Sequence, residues 1–416
     1  MQYPRHLYIH IPFCQRRCSY CDFNTYANME DRIDAYVAAL CTELKGVAQT
    51  LPPITSQSSV HANGAAAQSS ALTRADLRPT IFLGGGTPTM LSLQQMERVL
   101  AAANEIVPLQ DAEVTTEANP GTVIDEGYLQ GLRTLGINRI SFGVQSLHDP
   151  TLRVLGRIHT AGEALATFEQ ARRAGFDRIN LDFIFGLPGQ TLEQWRWTLD
   201  RAMEIGADHF SLYSLIVEEG TPLHQQVTRG SITVPDDDVS ADMYELAMER
   251  LAAGGYTQYE ISNWARNDAA QVDGLTLPSQ ACQHNVAYWL NADYLACGAG
   301  AHGHVYPRRW HDILGVDAYI KAMVERGSAV AEIIEVTPAD LWGETMMMGL
   351  RLNAGVSYAH FADRCGHELR DVYGVVIDGC VREGLMVADE VGVRLTARGR
   401  MVGNRVFARF LEDVPA

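Results

Sequence analysis

Residues 8–23 read YIHIPFCQRRCSYCDF, an apolar strand-like run followed by Cys14, Cys18 and Cys21 with no fourth cysteine nearby. In this C-x3-C-x2-C spacing, three thiolates can hold three irons of a cubane cluster and leave the fourth iron to a small chelating ligand. Iron–sulfur clusters are normally held by four thiolates, so a set of three points to a cluster that does chemistry or binds substrate. Zinc fits poorly. A structural zinc site takes four protein ligands, and His10, the nearby candidate for a fourth, stands at no common zinc spacing. A disulfide would leave one thiol over. Core cysteines brought together by chance are the remaining alternative.

Outward from this stretch, strand-like runs recur at Leu7–Ile11, Thr80–Leu83, Glu113–Glu117, Arg139–Val144, Ile179–Phe183 and Phe210–Leu215. Between them lie amphipathic stretches such as Arg32–Val47, Gln94–Ile106, Glu126–Leu135, Gly162–Ala174 and Leu192–Ile205. Strands alternating with helices predict βαβ units and a parallel sheet. Six units with no evident seventh or eighth predict an α/β fold built on an incomplete parallel (β/α)6 barrel. Gly84–Thr87, Glu117, Gln145 and Asp182 fall at strand ends, and the C-terminal strand ends are where such architectures build their sites. A glycine run such as Gly84-Gly85-Gly86 lets backbone approach a ligand with no Cβ in the way. Taken alone it is a weak signal, as a strand-end carboxylate such as Glu117 or Asp182 is more often solvated than functional.

The chain divides into residues 1–216 for the barrel, 217–335 for an extension and 336–416 for a small helical, winged-helix-like unit. Residues 50–79, TLPPITSQSSVHANGAAAQSSALTRADLRP, are rich in small and polar side chains. They read as a disordered insertion without chemistry. The extension carries CQHNVAYWLNADYLACGAGAHGH, residues 282–304.

Composition narrows the function. Of 416 residues 47% are hydrophobic and 20% charged, enough for a large core, and the formal net charge is −17. Such a chain repels the phosphates that drive nucleic-acid binding, so no nucleic-acid partner is expected. There is no run of eighteen apolar residues, so no transmembrane segment is expected. The N-terminus lacks the features of a signal peptide. Together with unpaired thiols this predicts a cytoplasmic protein.

The motifs taken in order resemble the radical S-adenosylmethionine (SAM) superfamily, in its coproporphyrinogen dehydrogenase-like branch. They are Tyr8–Cys14, Gly84–Thr89, Thr116–Gly121, Phe142–Ser146, Arg157 and Leu181–Thr191. The resemblance covers most of residues 1–325. It implies a [4Fe–4S] cluster on Cys14, Cys18 and Cys21, with SAM on its open iron. It also implies that Gly85, Gly86 and Thr87 meet the methionine end of SAM, and that Glu117, Gln145 and Asp182 accept from its amino group and ribose hydroxyls. Arg157 would pair its carboxylate, and Tyr8 and Tyr20 would line the ligand.

Within the branch two functions compete. The dehydrogenases carry a fourth cysteine two residues after the third, where this chain has Phe23, and a substantial extension where this chain has thirteen residues before Cys14. Both departures resemble the HemW-type heme chaperones, as does His284-Asn-Val-Ala-Tyr-Trp289. That resemblance implies binding of heme and its transfer to an acceptor protein such as a membrane respiratory enzyme, with no coproporphyrinogen dehydrogenase activity. Oxygen-independent oxidation of coproporphyrinogen III is the alternative. His284 beside two aromatics is the candidate heme ligand, since a porphyrin takes an axial nitrogen and apolar walls. His302 and His304 are weaker candidates. A buried role for the HNVAYW segment is the competing reading.

Overall fold

The computed structural model describes residues 4–51, 72–123, 125–267 and 276–412. Six parallel strands form its centre, namely β1 (His6–Ile11), β2 (Thr80–Gly85), β3 (Glu113–Ala118), β4 (Arg139–Gln145), β5 (Ile179–Phe185) and β6 (His209–Ser214). Each pairs with the next in register. Three of the helices between them start at capping boxes, at Ser92, Thr160 and Thr191. There the side chain and the Glu or Gln three residues on satisfy each other's free backbone N–H.

The strands alternate sharply. On β1, Leu7, Ile9 and Ile11 are fully buried against the helices, while His6, Tyr8 and His10 take the other face, which is the inside of the barrel. That inside is hydrogen-bonded rather than oily. Asn180 Nδ2 donates to Ser141 Oγ at 2.7 Å and Ser211 Oγ at 3.0 Å, and His209 Nε2 meets the Tyr259 hydroxyl at 2.8 Å.

β6 continues into an antiparallel hairpin, β7 (Tyr256–Glu260) and β8 (Asn263–Arg266), with β8 beside β6. The free edge of β1 takes a seventh parallel strand, β9 (Tyr294–Cys297). Beyond it run the antiparallel strands β10 (His302–Val305), β11 (Arg308–Asp312) and β12 (Val330–Glu335). The barrel therefore stays open, because the second neighbour of β1 is β9 and not β6. One sequence expectation is extended, because a seventh parallel strand follows the six.

The insertion expected over 50–79 also changes in part. Its residues 52–71 lie outside the described residues. The stretch from Leu72 is described and packs. Arg74–Asp76 forms a 3-10 turn capped by Thr73, and Leu77 is buried against Tyr259, Leu290 and Leu352. Arg74 pairs with Asp363 at 2.5 Å, tying this linker to the C-terminal unit.

That unit has its own core of Met346, Phe361, Tyr373, Ile377 and Phe410. Helices Pro338–Gly349, Tyr358–Cys365 and Leu369–Arg382 are joined by a three-stranded antiparallel sheet of Val356–Ser357, Gly392–Leu395 and Met386–Ala388. The arrangement is winged-helix-like.

Candidate functional site

The chain leaving β1 makes a closed loop. Phe13–Cys14 pairs with Tyr26–Ala27, which pinches the loop at its base, and the loop carries Cys14, Cys18 and Cys21 at the C-terminal mouth of the barrel. Several contacts hold it. His10 Nε2 lies 2.9 Å from the Asn24 carbonyl, Asn24 Nδ2 donates to Ala299 O at 2.9 Å, and Ser19 N donates to Leu155 O at 3.0 Å. The Gly84–Pro88 turn wraps the exit of β1, with Gly86 N donating to Ile11 O at 2.9 Å and Thr87 N to Phe13 O at 2.7 Å. A Cβ on Gly85, which has φ +106°, would fall 2.2 Å from the His10 ring. One on Gly86 would fall 2.7 Å from the Phe13 carbonyl oxygen. The glycines are therefore required by packing against β1 as well as by any ligand.

One cavity of about 430 Å³ collects most of the candidates. Its walls include Cys14, Cys18, Cys21, Tyr20, Gly85, Gly86, Thr87, Glu117, Gln145, Arg157 and Asp182. All three cysteines are unpaired. Burial is the main cause that pushes the Cys14 thiol up to about 11, and it also raises Cys21. A metal bound by these thiols would release their protons. Among the described residues no three His, Cys, Asp or Glu side chains gather tightly enough for a single metal ion. A cubane needs its thiolates on three separate irons, and three thiols facing one cavity fit that requirement.

The acceptors are positioned by strand geometry. Glu117 Oε2 accepts from Gly85 N at 2.9 Å. Burial first, and repulsion by Asp182 second, push its carboxyl up to about 7. Asp182 accepts from Ser141 Oγ at 3.0 Å and Asn180 Nδ2 at 2.7 Å, and burial raises it too. Gln145 has φ +66° at a register shift between β4 and β5. Such a bulge re-aims a side chain, and here Gln145 reaches the cavity wall. Arg157 Nη1 lies 3.2 Å from Cys18 Sγ, and Nη2 donates to the Gly143 carbonyl. Tyr20 packs on Leu155, Ile184 and Leu187.

Two candidates lie elsewhere. Tyr8 is set deeper in the barrel, stacked on Phe82 with its hydroxyl 2.9 Å from His10 Nδ1, and is not on the cavity wall. His284 is 2% exposed, at the opposite end of the barrel. Its Nδ1 lies 2.6 Å from Thr80 Oγ1, its Nε2 3.2 Å from the Tyr288 hydroxyl, and its ring stacks on Phe82. The expected heme contact at His284 has no open nitrogen here, because Thr80 and Tyr288 occupy both. The walls also include residues that the sequence reading passed over, notably Arg17, Asn119, Ser141, Tyr213, Ile216 and Glu218. Ser141 carried a signal, since it stands two residues before Gly143 and so shares its inward face. At the mouth Phe23 is 66%, Ile216 67% and Tyr213 46% exposed.

The chain matches the radical SAM superfamily over residues 8–202 and the HemN C-terminal domain over residues 336–402. It is 37% identical over 410 residues to the heme chaperone HemW of Bacillus subtilis (strain 168), covering 98% of this chain and 99% of that protein. It is 32% identical over 422 residues to the mitochondrial radical S-adenosyl methionine domain-containing protein 1 of Danio rerio, covering 98% and 87%. The solved coproporphyrinogen III oxidase HemN of Escherichia coli superimposes with a TM-score of 0.77 at 23% identity, covering 99% of this chain and 91% of that one. That likeness is one of fold.

Proposed function

The chain belongs to the radical SAM superfamily, within it to the family of the HemW heme chaperones, and on that premise we propose that it binds heme and passes it to an acceptor protein. Membership brings a [4Fe–4S] cluster and SAM. Cys14, Cys18 and Cys21 are the residues that would hold the cluster. Gly85, Gly86, Thr87, Glu117, Gln145, Arg157 and Asp182 would hold SAM, and Tyr20 would close its wall. The carboxylates suit a cationic amino group, the guanidinium suits a carboxylate, and the glycine backbone suits close approach. The cluster, when bound, supplies an open iron for amino and carboxylate ligands.

The observation that carries the chaperone reading is a match spanning the barrel, the extension and the C-terminal unit together. Phe23 supports it, since it puts an exposed phenyl ring where the dehydrogenases have a fourth cysteine. No described helix is long and apolar enough to cross a membrane, and all eight cysteines are free thiols. The free thiols suit a reducing compartment, and the cytoplasm is the one we propose.

The test is anaerobic reconstitution followed by two parallel assays. Heme should titrate to about one per chain. Coproporphyrinogen III with SAM and a reductant should not turn over above a cluster-free control. Turnover to protoporphyrinogen IX at rates well above that control, or absence of heme binding, overturns the reading.

A further inference from the structure

The outer sheet gathers imidazoles that the SAM site does not use. His302 on β10 stands directly opposite His311 on β11, and His311 stands opposite Glu332 on β12. Cross-strand partners share one face of a sheet. The two imidazole rings lie 5.1 Å apart at 31°. Of the three histidines on this face, His304 has Nδ1 3.1 Å from Arg309 and Nε2 3.3 Å from Arg364. His311 has Nε2 3.2 Å from Glu332 and Nδ1 3.2 Å from the Asp312 carbonyl. His302 is exposed, and its ring has no hydrogen-bond partner among the described residues.

The surroundings are apolar and mixed in charge, with Glu332 beside His311 and Arg309 salt-bridged to Glu344 at 2.8 Å. Leu314, beside the Gly300 turn that leads into β10, is 55% exposed, and Ile334 is 46% exposed. Ile334 follows Glu332 by two residues and so shares the face of the histidines. Its register partner is Arg309. Among the described residues no three protein ligands gather for a bare metal ion. An iron that brings four nitrogens of its own needs only one from the protein.

Resting on the chaperone reading above, we infer that heme docks on this face of the outer sheet with His302 as its axial ligand. Leu314 and Ile334 lie against the porphyrin. Burial, then His311 and Arg309, hold the His302 imidazole below its usual range, so near neutral pH it is uncharged with a lone pair to give. The inference relocates the ligand from His284 to a side chain that needs no unfolding to reach iron.

The experiment titrates ferric heme into the anaerobically reconstituted full chain and into His302→Ala, His311→Ala and His302→Gln, following the Soret band. Wild type should bind about one heme per chain. His302→Ala and His302→Gln should shift the Soret band and weaken binding by about tenfold or more, which is about 1.4 kcal/mol. Millimolar imidazole should restore the wild-type band in His302→Ala. His311→Ala should keep the wild-type band. If His302→Ala binds heme with the wild-type band, the inference is overturned, whether or not affinity falls. If wild type binds no heme, the chaperone reading falls and this inference with it.

Discussion

Arg157 holds its guanidinium 3.2 Å from the sulfur of Cys18, in a segment that meets the cysteine loop through Ser19 and Leu155. On the proposed assignment, a fixed cation beside this sulfur would stabilise an ionised cluster ligand and pair a carboxylate. Its other arm is anchored on the Gly143 carbonyl, so the planar fork is oriented before any ligand arrives.

Arg157→Leu should therefore keep the cluster and lose SAM. Iron and sulfide after reconstitution should stay near wild type, because three thiolates remain. The SAM-induced change in the electron paramagnetic resonance signal of the reduced cluster should need about ten- to a hundredfold more SAM, the span of one lost charge-assisted bond. An unchanged SAM dependence removes Arg157 from the ligand set.

Replacing Cys14, Cys18 and Cys21 together by Ala should abolish the brown absorbance and the bound iron. Persistent near-stoichiometric iron and sulfide in the triple variant would show that the cluster sits elsewhere.

If Glu117 holds the amino group of SAM as proposed, binding has a pH dependence of known sign. Its carboxyl is raised to about 7 by burial and by Asp182. A cationic amino group binds the ionised form, so affinity is full above about pH 7 and falls as pH drops through it. The fall approaches about tenfold per unit at lower pH, the limit for one coupled proton. Glu117→Gln should bind weakly and lose this slope between pH 6 and 8. A wild-type affinity that is flat across that window contradicts the assignment.

Much of this arrangement was legible because it is local. The six runs from Leu7 to Leu215 each carry their own strand pattern, and the helices between them carry their own caps. The cavity set was legible because strand ends converge on one mouth. Other features were not local. YLAC at 294–297 is too short to announce a strand and becomes one only by finding the free edge of β1. Ile261 and Ser262 make a hairpin turn without Gly, Asn or Asp, so no local turn signal announces the two strands. The polarity of 50–79 hid Leu77, whose pocket is built from Tyr259, Leu290 and Leu352 far along the chain.

Leu77→Ala tests that pocket. Leu77 is 2% exposed, and truncating a buried leucine removes transfer energy and leaves a cavity, about 2–5 kcal/mol together. Denaturant unfolding of the protein should show a loss in that range, while the cluster still assembles. A loss under about 0.5 kcal/mol, the size of a surface substitution, would mean that the stretch from Leu72 to Pro79 does not pack.

His284 separates support from ligation. Its ring bridges Thr80 and Tyr288 and stacks on Phe82 beneath the barrel, and His6 Nδ1 meets the same Thr80 hydroxyl at 2.9 Å. Removing the imidazole breaks this chain and leaves a void under β2. Buried hydroxyls that lose partners cost about 1–3 kcal/mol, and the void adds to it. His284→Ala should therefore unfold at lower denaturant. The fraction that stays folded should bind heme with the wild-type Soret band, because neither ring nitrogen faces open space. His284→Gln, which can still reach Thr80 or Tyr288, should recover part of the stability with the same band. A Soret shift in both variants at full stability would make His284 the ligand and require the helix Gln283–Trp289 to open when heme binds.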